Sequence, residues 1–198
     1  MKNLLVDDDF YDRIRNYAVF IPIIEIDGKD HILFEVRSKH ITQPGEVSFP
    51  GGRVEMGETF EQAAVRETME ELLLDYEDIE YQGYSSMILN ASYMHVKAFY
   101  GRIHKKIEEI KYNEEVEKVF AVDIEYLKNN RPKVYHTLYK MDFPDDFPFE
   151  KINKGRDYDF WTTFNDVYFY DTDPVIWGLT ANFLKNFIEG LDWYEKWY

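Results

Sequence analysis

The sequence predicts an α+β or α/β sandwich built on a mixed β-sheet, and three observations carry that prediction. Runs of β-branched and aromatic residues at strand length recur along the chain, one central stretch switches to helical period, and a second helical stretch follows near the end. Strands and helices do not alternate one for one, so a regular parallel array fits less well.

Tyr17 to Ile26 and His31 to Arg37 read as a hairpin around Asp27-Gly28, a turn dipeptide between two apolar runs. Glu46 to Phe49 is a short strand, punctuated by Pro44-Gly45 before it and Pro50-Gly51-Gly52 after it, and it delivers a glycine turn. From Thr59 to Leu73 the period becomes helical, and Val65, Met69, Leu72 and Leu73 fall within about one third of the circumference, so these four are expected to face the core. Further strands are predicted at Glu80 to Leu89, Met94 to Ile103 and Val116 to Val122, with a short helix from Ile124 to Asn129. Asp173-Pro174 reads as the cap and first turn of a last helix over Val175 to Leu191. No internal repeat, low-complexity tract or Gly/Ser linker marks a boundary, so residues 1–198 are read as a single domain.

Composition narrows the chemistry. With 23 Lys and Arg against 38 Asp and Glu the formal charge is −15, which predicts no sequence-independent binding to nucleic acid or to an anionic membrane. With 45% hydrophobic and 18% aromatic residues the chain can bury a sizeable core. The absence of Cys removes disulfides, thiolate zinc sites and thiol nucleophiles, leaving oxygen and imidazole chemistry. Met1 to Val6 carries only a three-residue apolar run before Asp7-Asp8-Asp9, too short for a signal-peptide core, so a cytoplasmic location is expected.

Glu67, Glu70 and Glu71 share an arc of about 100° on the helical wheel, opposite the apolar stripe. Like charges at this spacing destabilise a helix, and a hard divalent cation, Mg²⁺ or Mn²⁺, would compensate them. Ala63 and Ala64 lie on the acids' side one turn earlier and would leave room for a phosphate. Gly51-Gly52 permit close backbone approach, and a carbonyl freed there can join the metal's oxygen shell. Arg66 would brace a neighbouring carboxylate, with Glu58 as its partner. A solvated acidic helix face is the plain alternative, and the spacing to the glycine turn weighs against it.

Gly52, five residues, Glu58, seven residues, then Arg66-Glu67-Thr68-Met69-Glu70-Glu71 closely resembles the Nudix box of the Nudix hydrolases, here spanning residues 52–74. Thr68 stands where the family usually has an aliphatic residue, and Leu73 where it usually has Gly, so the helix is expected to run on or end differently. Arg37-Ser38, Pro44-Gly45-Glu46-Val47-Ser48-Phe49-Pro50-Gly51-Gly52 and Val175-Ile176-Trp177-Gly178-Leu179-Thr180-Ala181 are similar to the coenzyme A diphosphatase branch. Lys39-His40-Ile41-Thr42-Gln43 departs from that branch, whose members often carry an Arg there.

The resemblance implies an α/β/α sandwich with a mixed sheet between helices, and hydrolysis by water of a nucleoside diphosphate linked to another moiety. It implies that Glu67, Glu70 and Glu71, with the Gly51 carbonyl, hold Mg²⁺ or Mn²⁺ against a small nucleotide-type substrate, and that the protein pairs as a homodimer. A further acid from a later loop is matched best by Glu115, with Glu114 as the alternative, and the general base stays open among Glu67, Glu71 and Glu115. Arg37 is expected to contact substrate phosphates alongside Gly51 and Gly52, with Lys39 and His40 as lesser candidates. Coenzyme A or an acyl-CoA is the expected substrate. ADP-ribose, a dinucleotide or a damaged nucleotide is the alternative, and a non-catalytic nucleotide-binding module the reading from another class. Phe143, Phe147, Phe149, Tyr158, Phe160 and Trp161 are read as core packing rather than a pocket wall, and Trp177 as an anchor for the last helix. Trp193, Tyr194, Trp197 and Tyr198 are expected to pack back on the domain or meet a partner.

Overall fold

The computed structural model describes residues 14–89, 93–160 and 163–197, with side chains to residue 192. The N-terminal segment from Met1, Trp161, and the side chains of Trp193, Tyr194, Trp197 and Tyr198 lie outside the described residues.

β1 (Arg15–Ile26) and β2 (Lys29–Arg37) form the predicted hairpin, in register from Ile23 opposite Ile32 to Ile26 opposite Lys29. Asp27 and Gly28 both have positive φ, 52° and 75°, as a two-residue turn matched to strand twist requires. β3 (Val47–Ser48) and β4 (Gly51–Arg53) follow, then α1 (Phe60–Glu71), β5 (Ile79–Leu89), β6 (Met94–Ile103), β7 (Val116–Asp123) and α2 (Ile124–Asn129). These strands make a seven-stranded sheet with β3, β2, β1, β6 and β5 side by side, β4 added to β1 and β7 to β2. Only the β1–β6 pair among them is parallel, which makes the sheet mixed as predicted.

β1 changes partner along its length. Tyr17 to Val19 pair with β4, whereas Ile23 to Ile26 pair with β2, and β2 goes on to pair with β3 through Glu35 opposite Ser48. The sheet therefore divides at one end, and the Phe49-Pro50 link carries the chain across the gap from β3 to β4, held by the Phe20 amide donating to the Pro50 carbonyl at 2.9 Å.

Both faces are covered. Ala18, Phe20, Ile24 and Leu33 pack with Ala63 and Ala64 of α1 and with Leu72 just past its end on one side. Ile21, Ile23, Ile32 and Phe34 pack with Phe183, Leu184, Phe187 and Ile188 of α3 (Gly178–Trp197) on the other. This alternation along β1 and β2 produces the three-layer α/β/α arrangement. No described helix is long and apolar enough to cross a membrane.

Four expectations are corrected. α1 turns its acid-bearing side to the sheet: Ala63, Ala64, Thr68 and Glu71 are buried, Leu72 is buried beyond the helix end, Val65 and Met69 are only partly covered, and Leu73 is 53% exposed. Ala63 and Ala64 thus leave no free space, because their small side chains are what let the helix approach the strands closely. Second, α1 does not run on through Leu73. That residue adopts φ 46°, and the Leu74 amide donates back to the Met69 carbonyl at 3.1 Å, a left-handed terminus normally given to Gly. Third, the last helix starts at Gly178 rather than Val175, because Ile176–Trp177 forms a strand, β10. Fourth, β10 joins β9 (Thr163–Tyr170) and β8 (Lys133–Tyr139) in a second, three-stranded antiparallel sheet that the sequence did not signal. Between β8 and β9, Phe143 packs on Phe147, Phe149 and Phe160 with centroids 4.6–5.2 Å apart, so these rings make their own small cluster.

A leucine in the left-handed region costs roughly 1–2 kcal/mol, and Leu73 recovers little by burial. Leu73→Gly should therefore stabilise the protein by roughly 0.5–1 kcal/mol after the entropic penalty of glycine, read as a raised urea midpoint at unchanged slope. Destabilisation would show that the exposed leucine makes a contact worth more than the strain.

Candidate active site

The first turn of α1 is fixed by a capping box: the Thr59 hydroxyl accepts from the Gln62 amide at 3.2 Å and the Gln62 side chain accepts from the Thr59 amide at 2.9 Å. Glu58, immediately before it, accepts the Glu55 amide at 3.0 Å and meets Arg66 from the next turns. Arg66 is the hub of this region. Its Nε and Nη2 donate to the two Glu58 oxygens at 2.9 and 3.2 Å, its Nη2 also to the Arg53 carbonyl at 3.1 Å, and its Nη1 reaches Glu67 at 3.0 Å and Glu70 at 3.3 Å. One guanidinium thereby joins β4, the loop before the helix and two of the helix acids. The Arg66 hydrogen bond holds the Glu58 carboxyl below the usual range, and Glu58 in turn keeps Arg66 firmly protonated.

Beneath this polar clamp lies a buried group of acids. Glu71 is 4% exposed and accepts the Gly51 amide at 2.8 Å. Close approach requires glycine at Gly51, where a Cβ would stand 2.3 Å from the Ala18 carbonyl oxygen, whereas a Cβ at Gly52 would stand 2.2 Å from Glu67 Oε1 and displace that carboxylate. Glu35 of β2, 2% exposed, accepts from the Ser48 hydroxyl at 2.8 Å, and its other oxygen has no hydrogen-bond partner among the described residues. Burial pushes the Glu71 carboxyl up to about 9, with repulsion from Glu35 adding to it. Burial likewise pushes Glu35 up to about 7, against the Ser48 hydrogen bond and the nearby Arg37 charge, and it raises Glu67.

The later loop is tied to the same place. The Asn113 amide donates to the Glu71 carbonyl at 2.9 Å, the Ser38 amide to the Glu115 carbonyl at 2.8 Å, and the Glu115 charge repels Glu35, Glu67 and Glu71. Glu114 and Glu115 are both exposed, and Glu115 is the one whose charge raises all three acids. Arg37 lies at the mouth, donating from Nε to the Thr42 carbonyl at 2.9 Å, while Lys39 and His40 are exposed in the loop beyond. A recess of about 500 Å³ lined by Arg53, Val54, Glu55, Met56 and Glu67 opens beside the acids.

Two expectations change here. The acid face does not point wholly into solvent: Glu71 is buried and Glu67 partly so, leaving Glu70 at the rim. Glu35 was not anticipated, although its signal was present as the lone acid within the apolar run Ile32 to Val36. Glu35, Glu67, Glu70, Glu71 and Glu115 would offer oxygen donors only, and repulsion among buried carboxyls together with an orphaned Glu35 oxygen is chemistry that a hard divalent cation would satisfy. Among the described residues no three acidic or His side chains stand together as an ion cage; Arg66 engages Glu67 and Glu70, and the Gly51 amide engages Glu71.

A pH dependence follows with a definite sign. Glu35 and Glu71 titrate in the fold above their ordinary value of 4.5, so the native state holds protons that the unfolded chain has released. That stability is fully present below pH 4.5 and is lost as pH rises through about 7 and about 9. In chelator, the melting temperature should fall steadily across this window, each pH unit costing about 1.4 kcal/mol per proton still held. Mg²⁺ or Mn²⁺ should restore more stability at the alkaline end than at the acid end, and a flat profile in chelator would contradict the buried-acid arrangement.

A family model described as the NUDIX domain matches residues 15–141. Nudix hydrolase 3 of Caenorhabditis elegans is 37% identical over 115 residues, covering 56% of this chain and 48% of that protein. A mouse protein named peroxisomal coenzyme A diphosphatase is 30% identical over 122 residues, covering 61% of this chain and 51% of its own. The chain thus spans about half the length of these two relatives. A NUDIX hydrolase crystal structure from Nitrosomonas europaea superposes with a TM-score of 0.50 at 16% identity, over 89% of this chain and 71% of that one, a likeness of fold. The glycine strand, the acid helix packed against it and the match over residues 15–141 together place this chain in the Nudix hydrolase family, which acts on pyrophosphate bonds.

Proposed function

We propose that this chain hydrolyses the diphosphate linkage of a nucleoside diphosphate derivative, using Mg²⁺ or Mn²⁺ and water, and that its substrate is coenzyme A or an acyl-CoA. The observation that carries the reaction is the packing of Glu71 and Glu67 against the backbone of Gly51-Gly52, with Glu35 buried near Glu71, a group of carboxyls whose joint ionisation a bound cation would favour. The substrate assignment is supported by the Arg37-Ser38 and Pro44 to Gly52 segments and by the likeness to the mouse relative.

In this reading Glu67, Glu70 and Glu71 hold the cation, with the Gly51 carbonyl as a further oxygen. Bound there, a divalent cation neutralises the diphosphate and stabilises charge developing on its oxygens. Arg66 keeps Glu67 and Glu70 oriented and ties the helix to the Arg53 to Glu58 loop through Glu58. The Gly51 amide holds the Glu71 side chain in the cleft. Arg37 places a positive charge where the substrate's phosphates enter. Glu115, at the mouth, completes the oxygen donors or takes the proton of the attacking water.

Incubation of the purified protein with Mg²⁺ or Mn²⁺ and coenzyme A, ADP-ribose and a set of dinucleotides, followed by mass spectrometry, tests both levels. Release of 3′,5′-ADP and a phosphopantetheine product supports the assignment. Cleavage of other diphosphates alone retains the reaction and discards the substrate, and no cleavage favours a nucleotide-binding module. Glu70→Gln and Glu71→Gln should each lower turnover by several orders of magnitude in a folded protein, since the amide oxygen of a glutamine in place of Glu71 could still accept the Gly51 amide. Gly52→Ala, whose Cβ would displace the Glu67 carboxylate, should cost about a hundredfold in turnover, and near-wild-type rates in these variants would sink the assignment.

A further inference from the structure

We propose that the exposed face of Trp177 is a stacking platform for the heterocyclic base of the nucleoside half of the substrate, an inference that rests on the diphosphatase reading above. Trp177 directly precedes the last helix and helps pin its start, as the sequence suggests, yet its ring is not enclosed. It sits in β10, opposite Phe169, and 43% of its surface is open. Large aromatic side chains left open are usually mobile or covered by a partner element, whereas this ring is fixed on two sides. One face stacks on Phe169 with centroids 5.5 Å apart and planes 15° from parallel, and Phe169 is itself braced by the edge of Tyr135 at 5.4 Å. The indole Nε1 donates to a Glu46 carboxylate oxygen at 2.5 Å, which sets the ring's rotation in its own plane.

That tether leads to the acids. The Glu46 carbonyl accepts the Arg37 amide at 2.9 Å, and two residues farther on the Ser48 hydroxyl donates to Glu35 at 2.8 Å. The Thr180 hydroxyl, three residues after Trp177, donates to the Val47 carbonyl at 2.9 Å, so β10 and the start of α3 are pinned to β3 at two points. At about 3.3 Å per strand residue, Glu46 stands about 7 Å along the strand from the residue that touches the acid group. The indole and the Glu35 hydrogen bond are thus carried by the same three-residue segment, which puts the ring on the border of the acid group. A flat ring already parallel to a second ring suits another π-system, whereas a flexible acyl-pantetheine arm would need a groove rather than a ledge. Phe169 keeps the indole from tilting, so little ordering cost falls on binding.

The test compares ADP with inorganic pyrophosphate, both titrated calorimetrically in Mg²⁺ against the wild type, Trp177→Ala and Trp177→Phe. Both ligands engage the acid and cation site, and only ADP carries a base. Loss of the indole should weaken ADP about tenfold or more while leaving pyrophosphate unchanged, and Trp177→Phe should recover most of the loss. Unchanged ADP affinity in Trp177→Ala overturns the platform, and so does an equal loss for both ligands, which would mark Trp177 as a structural support for β3. A wild type that binds pyrophosphate but gains nothing from the base of ADP also overturns it, with the diphosphatase reading intact. A wild type that binds neither ligand overturns that reading and the platform together.

Discussion

The hydrogen bond from the Gly51 amide to the Glu71 carboxylate requires a helix and a strand to approach more closely than ordinary side chains allow. The approach is made possible by what is missing on both sides. Ala63 and Ala64 present almost no bulk from the helix, and a Cβ at Gly51 or Gly52 would collide with Ala18 or Glu67. Once that contact forms, Glu71 is drawn into the interior, Glu67 follows onto Gly52, and the acids become costly to ionise. Stability conceded at this contact is regained in the two apolar layers, where Phe20 and Leu33 on one side and Phe34 and Phe183 on the other are fully or almost fully buried.

The division of the sheet serves the same contact. Because β1 exchanges β4 for β2 part-way along, the Gly51-Gly52 strand and the Glu35–Ser48 pair lie on either side of one gap, and Glu71 reaches across it. Glu71 is held there at both ends, by Gly51 through its side chain and by Asn113 through its carbonyl. The latter bond sets the position of the loop carrying Glu115, so the helix terminus and the last acid are placed by a single residue.

Much of this was legible in the sequence because it is encoded locally. The β1–β2 turn is written in Asp27-Gly28, the α1 start in Thr59 and Gln62, and the acid set in the spacing of Glu67, Glu70 and Glu71. What failed depends on contacts distant in sequence. The hydrophobic wheel ranks Val65 and Met69 as core, and they do pack against it, but at its edge, while the smaller Ala63, Ala64 and Thr68 are the fully buried ones. Glu35 gains its meaning only when β2 is set beside β3 and α1. β8 carries no alternating burial pattern, all seven of its residues being exposed, so periodicity could not reveal it. Leu73 shows that a terminus usually built from glycine can be imposed on a leucine by the capping hydrogen bond and the turn that follows.

Arg66 gives the site the character of an ion exchanger. Its single positive charge is shared among Glu58, Glu67 and Glu70, so a divalent ion entering the cleft would compete with a resident guanidinium for the same carboxylates. The net affinity for a cation would then be the difference between two ion pairings rather than the strength of one. Because Arg66 is also held by Glu58 and the Arg53 carbonyl, the rim of the cleft would stay ordered while such an exchange took place.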